Sequence, residues 1–287
     1  MEKGFDCSKN NLIVLSSQGE AFKVYSALNS LYPDQDFIHL PNSEVLPYDF
    51  FSSPPNIRSE RIKALSNITK QTNKTLVSSI QTLMSPCSNY LHVSNINNLK
   101  VGDQFQRQSV ISDLEDNGYK RAEVVTESGD FSLRGSLIDL FLAGSSQPVR
   151  LEIFEERIES IRYFDPRTQI TTERTEEINS LPAYEYPKDN IGAAKFKENW
   201  RLNFDTFEKD SDIFNRVMKR RKAEGVEMYL PLFFDSKPSV IKFVENFQFV
   251  YFDQNTAQAA VAFQSLIDNR FEEYRYDLER PLLHPKK

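Results

Sequence analysis

None of the nine glycines in this chain is followed by lysine; their next residues are Phe, Glu, Asp, Tyr, Ser, Ala or Val. A P-loop needs that glycine-lysine step, because backbone amides cradle the phosphates while the lysine reaches them. G-x-S-x-G, H-E-x-x-H and C-x-x-C are missing too. The two cysteines, Cys7 and Cys87, are far apart and have no metal-ligand spacing, which excludes a disulfide framework and points to a reducing compartment. His39, His92 and His284 are isolated from one another and from the cysteines, so zinc finds no ligand set. They are expected in loops or at strand ends. No apolar run approaches the roughly 18 residues of a membrane span, and the start, MEKGFDCSKNN, lacks a secretory apolar core. The acidic pairs Glu155-Glu156 and Glu176-Glu177 stand next to turn signals and read as solvated surface. No catalytic residue, metal or cofactor is assigned within the 287 residues.

What is present is an ordinary globular composition, 39% hydrophobic and 26% charged, in a chain long enough for about two domains. The net charge of −6 is unevenly placed: residues 94–180 hold ten basic and sixteen acidic side chains, and the remainder balances. An acidic middle repels phosphate backbones, which argues against nucleic-acid binding there. The one basic run, Lys219-Arg220-Arg221-Lys222, falls in the expected last turns of a helix over 211–224, stopped by Gly225. Cations favour that end of the helix dipole, and the run has no interleaved aromatics of the kind that bind nucleic acid.

Along the first ninety residues strands alternate with helices. Asn11–Ser17 and Thr75–Ser79 are short apolar runs suited to strands, and Asp36–Leu40 is a third. Residues 18–31 and 57–71 repeat apolar side chains at helical spacing. This order predicts a parallel α/β sheet. The middle reads as an α+β antiparallel meander: a helix capped by Ser109 and ended by Gly118, then strands over 122–128, 130–141, 148–155, 157–164 and 170–174. LPAYEYP (181–187) ends it, and helices are expected at 188–203, 211–224 and 255–276, with a strand at 247–253. The division is 1–93, 94–180 and 181–287.

The proline-bounded aromatic stretch LPNSEVLPYDFFSSPPNIRSERIKAL (40–65), with Arg58 and Arg61 in the helix that follows, resembles the loop after an early strand in transcription-repair coupling factors (Mfd). SSIQTLMSP (78–86), the run from Gly118 to Gln169, EEINSLPAYEYP (176–187) and ERPLL (279–283) continue the resemblance in the family's order. It implies a degenerate helicase-like (RecA-like, P-loop-derived) α/β domain in two pieces, interrupted by an α+β domain that binds UvrA. It also implies a further segment ahead of the first strand, including a degraded nucleotide loop, so an incomplete first domain is expected. The family's proteins are ATP-dependent DNA translocases of the bacterial cytoplasm that remove stalled RNA polymerase and recruit excision repair. Their ATP, magnesium, DNA and polymerase sites lie in downstream domains. The related excision-repair protein UvrB is the alternative, as a nucleotide-dependent helicase fragment, but its working P-loop and tyrosine-rich hairpin have no counterpart here.

Strand alternation puts Val149, Leu151 and Ile153 inward and Arg150, Glu152 and Phe154 outward. An outward phenylalanine beside an arginine is the material of interface hot spots. Carried over position by position, the resemblance places the UvrA-binding residues at Arg134, Arg150 and Phe154. Arg134 precedes Gly135, read as a bulge or as room for a partner's backbone. None of the three is expected to hold the core, so alanine at each should leave folding within about 0.5 kcal/mol.

Overall fold

The computed structural model describes residues 9–70, 74–94, 97–204, 210–277 and 279–285; Cys7 lies outside them. The apolar run NLIVL forms β1 (Asn11–Leu15). Ser17 caps α1 (Gln18–Leu31), its side chain accepting from the Glu20 N–H, which serves one of the donors a helix start leaves open. β2 (Phe37–Leu40) follows, then α2 (Pro55–Lys70), which opens on proline, where no N–H is needed. β3 (Thr75–Ser79), α3 (Ile80–Met84) and α4 (Tyr90–Ser94) complete this part. His39 stands next to the end of β2 and His284 in a loop, in line with the expectation of loops or strand ends, whereas His92 sits within α4. Burial pushes the thiol of Cys87 above its ordinary range.

The middle contains β4 (Asn97–Lys100), α5 (Arg107–Asp116), β5 (Lys120–Arg121), β6 (Asp130–Arg134), β7 (Leu137–Leu140), β8 (Val149–Phe154), β9 (Arg157–Phe164), β10 (Thr171–Thr175) and β11 (Glu177–Ser180). β6 to β10 pair antiparallel in sequence order, which is the meander; β5 joins parallel to β6, and β11 pairs separately with β4. Four expectations are corrected. Ser109 lies inside α5, whose N-cap Gln106 makes no side-chain hydrogen bond. Gly118 does end the helix at φ +89, and a Cβ there would stand 2.6 Å from the Tyr184 ring.

The strand expected over 122–128 leaves the sheet after Arg121, because the Asp130 carboxylate accepts from the N–H groups of Thr126 and Glu127 and turns the chain (3.3 and 3.1 Å). That stretch instead covers the outer face of the sheet: Ser132 donates to the Glu123 carbonyl, Gln169 to that of Val125, and Val125 is fully buried. Residues 130–141 are not one strand but a hairpin. Arg134 pairs with Leu137, and Gly135 (φ +59) takes the positive φ that two-residue hairpin loops favour. Gly135 is a turn residue, not a bulge.

Beyond Leu181, Asp189 caps α6 (Asn190–Asn203). α7 (Asp212–Met218) stops short of the expected residue 224, because Lys219 leaves the helix and Arg220 takes a positive φ of 55°. A 3-10 helix (Val226–Phe233) and α8 (Val240–Val244), neither foreseen, precede β12 (Phe249–Phe252) and α9 (Thr256–Tyr274). Phe196, Trp200, Phe214, Tyr229 and Phe233 pack together as an aromatic core. β12 returns to pair parallel with β1, giving a four-stranded parallel sheet of order β12-β1-β3-β2. The protein is therefore mixed α/β, with a parallel sheet and an antiparallel one. Among the described residues no helix is long and apolar enough to cross a membrane.

Candidate protein-binding face

β6 and β8 both run antiparallel to β7, so their C-terminal ends lie at the same edge of the sheet. Arg134 ends β6 and Phe154 ends β8. Phe154 is 61% exposed. It does not fold back over a neighbouring strand. Its hairpin turn is made by Glu155 and Glu156, both at positive φ (48° and 58°), a conformation that favours glycine or asparagine and is costly for glutamate. The pair is exposed, as expected, and forms the turn itself. The turn is held from the side by the Phe105 N–H, which donates to the Glu156 carbonyl at 2.7 Å, and by the pairing of Gln104 with Arg157.

Arg134 and Arg150 are brought together by a residue that sequence reasoning passed over. Asp139 faces outward from β7, opposite Arg150. Its side chain is 1% exposed, and it accepts from Arg150 Nε and Nη2 at 2.7 and 3.0 Å and also from Arg134 Nη2. Burying one carboxylate this deeply requires paired charge, which the two guanidinium groups supply. The signal was an aspartate inside the apolar run LIDLF (137–141). Arg150 also lies over the Phe164 ring at 4.8 Å and donates to the Gln169 carbonyl at 3.4 Å. The hydrogen bond to Asp139 raises Arg150 further above its ordinary pKa, against the opposing effect of burial.

Exposure divides the two arginines: the Arg134 side chain is 47% accessible and Arg150 only 18%. Arg150 therefore helps hold the sheet, and the expectation that its loss leaves folding untouched is corrected. Of the three residues singled out from the sequence, two form one ion-paired group. The third stands at the same edge of the sheet as an exposed ring.

A second arginine–carboxylate site lies where α2 meets residues 183–188. Arg61 is buried and grips Glu185 through Nε and Nη2 (2.5 and 3.1 Å) while donating to the Pro41 carbonyl at 2.6 Å. Burial alone would lower Arg61, but the charge and hydrogen bond of Glu185 overcome it and raise it. Arg58 and Lys188 both lie over the Tyr184 ring, at 4.2 and 4.6 Å. A cavity of about 480 Å³ opens beside this site, bounded by Arg58, Arg61, Glu185 and Glu227, so its charged walls largely compensate one another. The basic run at 219–222 is partly neutralised as well. Arg220 pairs with Asp116 and donates to the Lys188 carbonyl, and Lys222 pairs with Glu224.

The antiparallel sheet thus offers an exposed aromatic and ion-paired arginines on strands β6 and β8, and residues 98–186, which contain it, match the family described as UvrB interaction domain. The chain as a whole is homologous to the N-terminal part of transcription-repair-coupling factors. It is 33% identical over 283 residues to the factor of Haemophilus influenzae, covering 98% of this chain and 25% of that protein. Against the Escherichia coli factor it is 33% identical over 267 residues, 90% of this chain and 23% of that protein. Against that of Rickettsia bellii it is 28% identical over 283 residues. The chain spans about a quarter of the length of these relatives.

Proposed function

We propose that this chain is the UvrA-recruiting part of a transcription-repair-coupling factor, and that its middle region, residues 94–180, is the docking module. Arg134, Arg150 and Phe154 carry the contact. The observation behind this reading is the edge of the β6–β8 sheet, where Phe154 stays exposed beside a guanidinium pair anchored on one buried carboxylate. Phenylalanine contributes area that loses water on docking, and the accessible Arg134 offers a planar fork to a partner's carboxylate or backbone. The experiment is calorimetric titration of purified UvrA into the chain and into Phe154→Ala and Arg134→Ala. Binding by the parent chain that weakens about thirtyfold in Phe154→Ala supports the assignment, that being the scale of a hot-spot truncation. Equal affinity in both variants places the interface elsewhere.

The same reading makes the four-stranded parallel sheet, closed by β12 from the far end of the chain, the remnant of a helicase-like RecA-type domain in two pieces (1–93 and 181–287). It takes this part of the protein to be non-catalytic, without ATP, magnesium or metal of its own. ATP-driven translocation on DNA and contact with RNA polymerase then belong to downstream domains, in the bacterial cytoplasm. The lack of glycine-lysine supports the first point, since no lysine is placed to hold phosphates. Micromolar ATP binding by this chain in calorimetry would overturn it.

A further inference from the structure

The strand register carries the basic face further than the three residues above. Ser132 of β6 stands opposite Asp139 of β7, Asp139 opposite Arg150 of β8, Arg150 opposite Arg162 of β9, and Arg162 opposite Arg174 of the edge strand β10. One row across the sheet thus holds three arginines against a single carboxylate, and Asp139 is already occupied by Arg150 and Arg134. Among the described residues no carboxylate pairs with Arg162 or Arg174. Arg162 is half-buried with an Nε that has no acceptor, and Arg174 is exposed. Glu152, the acid nearest in β8, is opposite Ser160 and accepts from its hydroxyl instead. Like charges set directly opposite one another across strands repel. The row therefore has unmet demand for negative charge from outside.

We propose that Arg162 and Arg174 extend the docking face across the sheet and take carboxylate side chains on the surface of the partner, an extension that rests on the UvrA-docking face proposed above. A polyphosphate is the wrong occupant. The surrounding region carries ten basic and sixteen acidic residues, and its field repels a nucleic-acid backbone at long range while leaving short bidentate contacts to single carboxylates favourable. Arg174 alone could serve to keep an edge strand from pairing with other chains. Arg162 has no such duty, because β9 lies between β8 and β10.

The test is UvrA binding by calorimetry to the chain and to Arg162→Glu, Arg174→Glu and Arg162→Gln, with Phe154→Ala alongside and a melting curve for each. Each reversal is expected to weaken binding about tenfold or more with the melting temperature unchanged, the scale on which a charged group at an interface acts. Arg162→Gln serves if the reversal at 162 fails to fold. Wild-type affinity in all three arginine variants, with weakened binding in Phe154→Ala, overturns the extension and leaves the docking face standing. No binding by the parent chain removes the docking face itself. Sub-micromolar binding of duplex DNA at physiological salt, abolished in Arg162→Glu, overturns the carboxylate assignment in favour of phosphate.

Discussion

Arg61–Glu185 and the Arg134–Asp139–Arg150 group use the same chemistry and bury opposite ends of it. At the first, the guanidinium is sealed, its side chain 2% exposed and its third nitrogen donating to the Pro41 carbonyl. At the second, the carboxylate is sealed and the guanidinium groups reach toward solvent, Arg134 most of all. An arginine whose counter-charge lies beneath it is held in place without being used up. Position in the sheet makes the difference. Arg61 stands on α2 facing the 183–188 segment, while Asp139 stands on the sheet face over which residues 122–128 pass. The first site joins distant parts of the chain and the second presents a surface.

The comparison fails most visibly if Arg61→Ala leaves the fold unharmed. Removing Arg61 leaves Glu185, only 12% exposed, without its counter-charge, and loss of one member of a buried pair costs about 3–5 kcal/mol. Urea unfolding should register a fall of that order, and a loss below about 1 kcal/mol would show that Glu185 rehydrates freely. Next is Phe154→Ala, where about 2 kcal/mol should vanish from UvrA binding while stability stays within about 0.5 kcal/mol. A collapse in melting temperature there would make the ring structural after all. Arg150→Ala should fall between the two in character. It leaves Asp139 with Arg134 alone and uncovers the Phe164 ring, so a stability loss of about 1–2 kcal/mol is expected by denaturant titration.

The smallest effect is a slope with pH. Burial, and then the nearby charges of Arg58 and Arg220, push Lys188 down to about 8 from its ordinary 10.5. A depressed lysine binds fewer protons in the folded state, so stability should rise as pH climbs from about 8 through the unfolded value. Lys188→Met should flatten that rise relative to the parent chain. An unchanged slope would place Lys188 in ordinary solvent.

Parts of this were legible in the chain, for local reasons. Strands such as TLVSS (75–79) and helices such as 18–31 announce themselves through periodicity, and Gly118 marks its helix end because few residues tolerate φ +89. The exposure of Phe154 follows from alternation along β8. The two misread strands failed in one way. At 122–128 an apolar, β-prone stretch lost its strand to a turn made by the Asp130 side chain, and at 130–141 a two-residue loop at Gly135 broke one apparent strand into two. In both, a turn between near neighbours outweighed the pattern of the longer stretch around it.

By itself the sequence determined the alternation of elements, the uneven charge and the lack of any lysine directly after a glycine, and its family resemblance supplied the three residues proposed for docking. Only the tertiary structure decided what holds them. Asp139 lies five residues from Arg134 and eleven from Arg150, distances along the chain that carry no hint of contact until β6, β7 and β8 pair in register. The same holds for β12, which closes the parallel sheet from more than 230 residues away, and for the row through Arg162 and Arg174. Side-chain periodicity is local and shows in one strand at a time, whereas register is a property of pairs. Which charges meet is set by hydrogen bonds between strands that the linear order does not bring together.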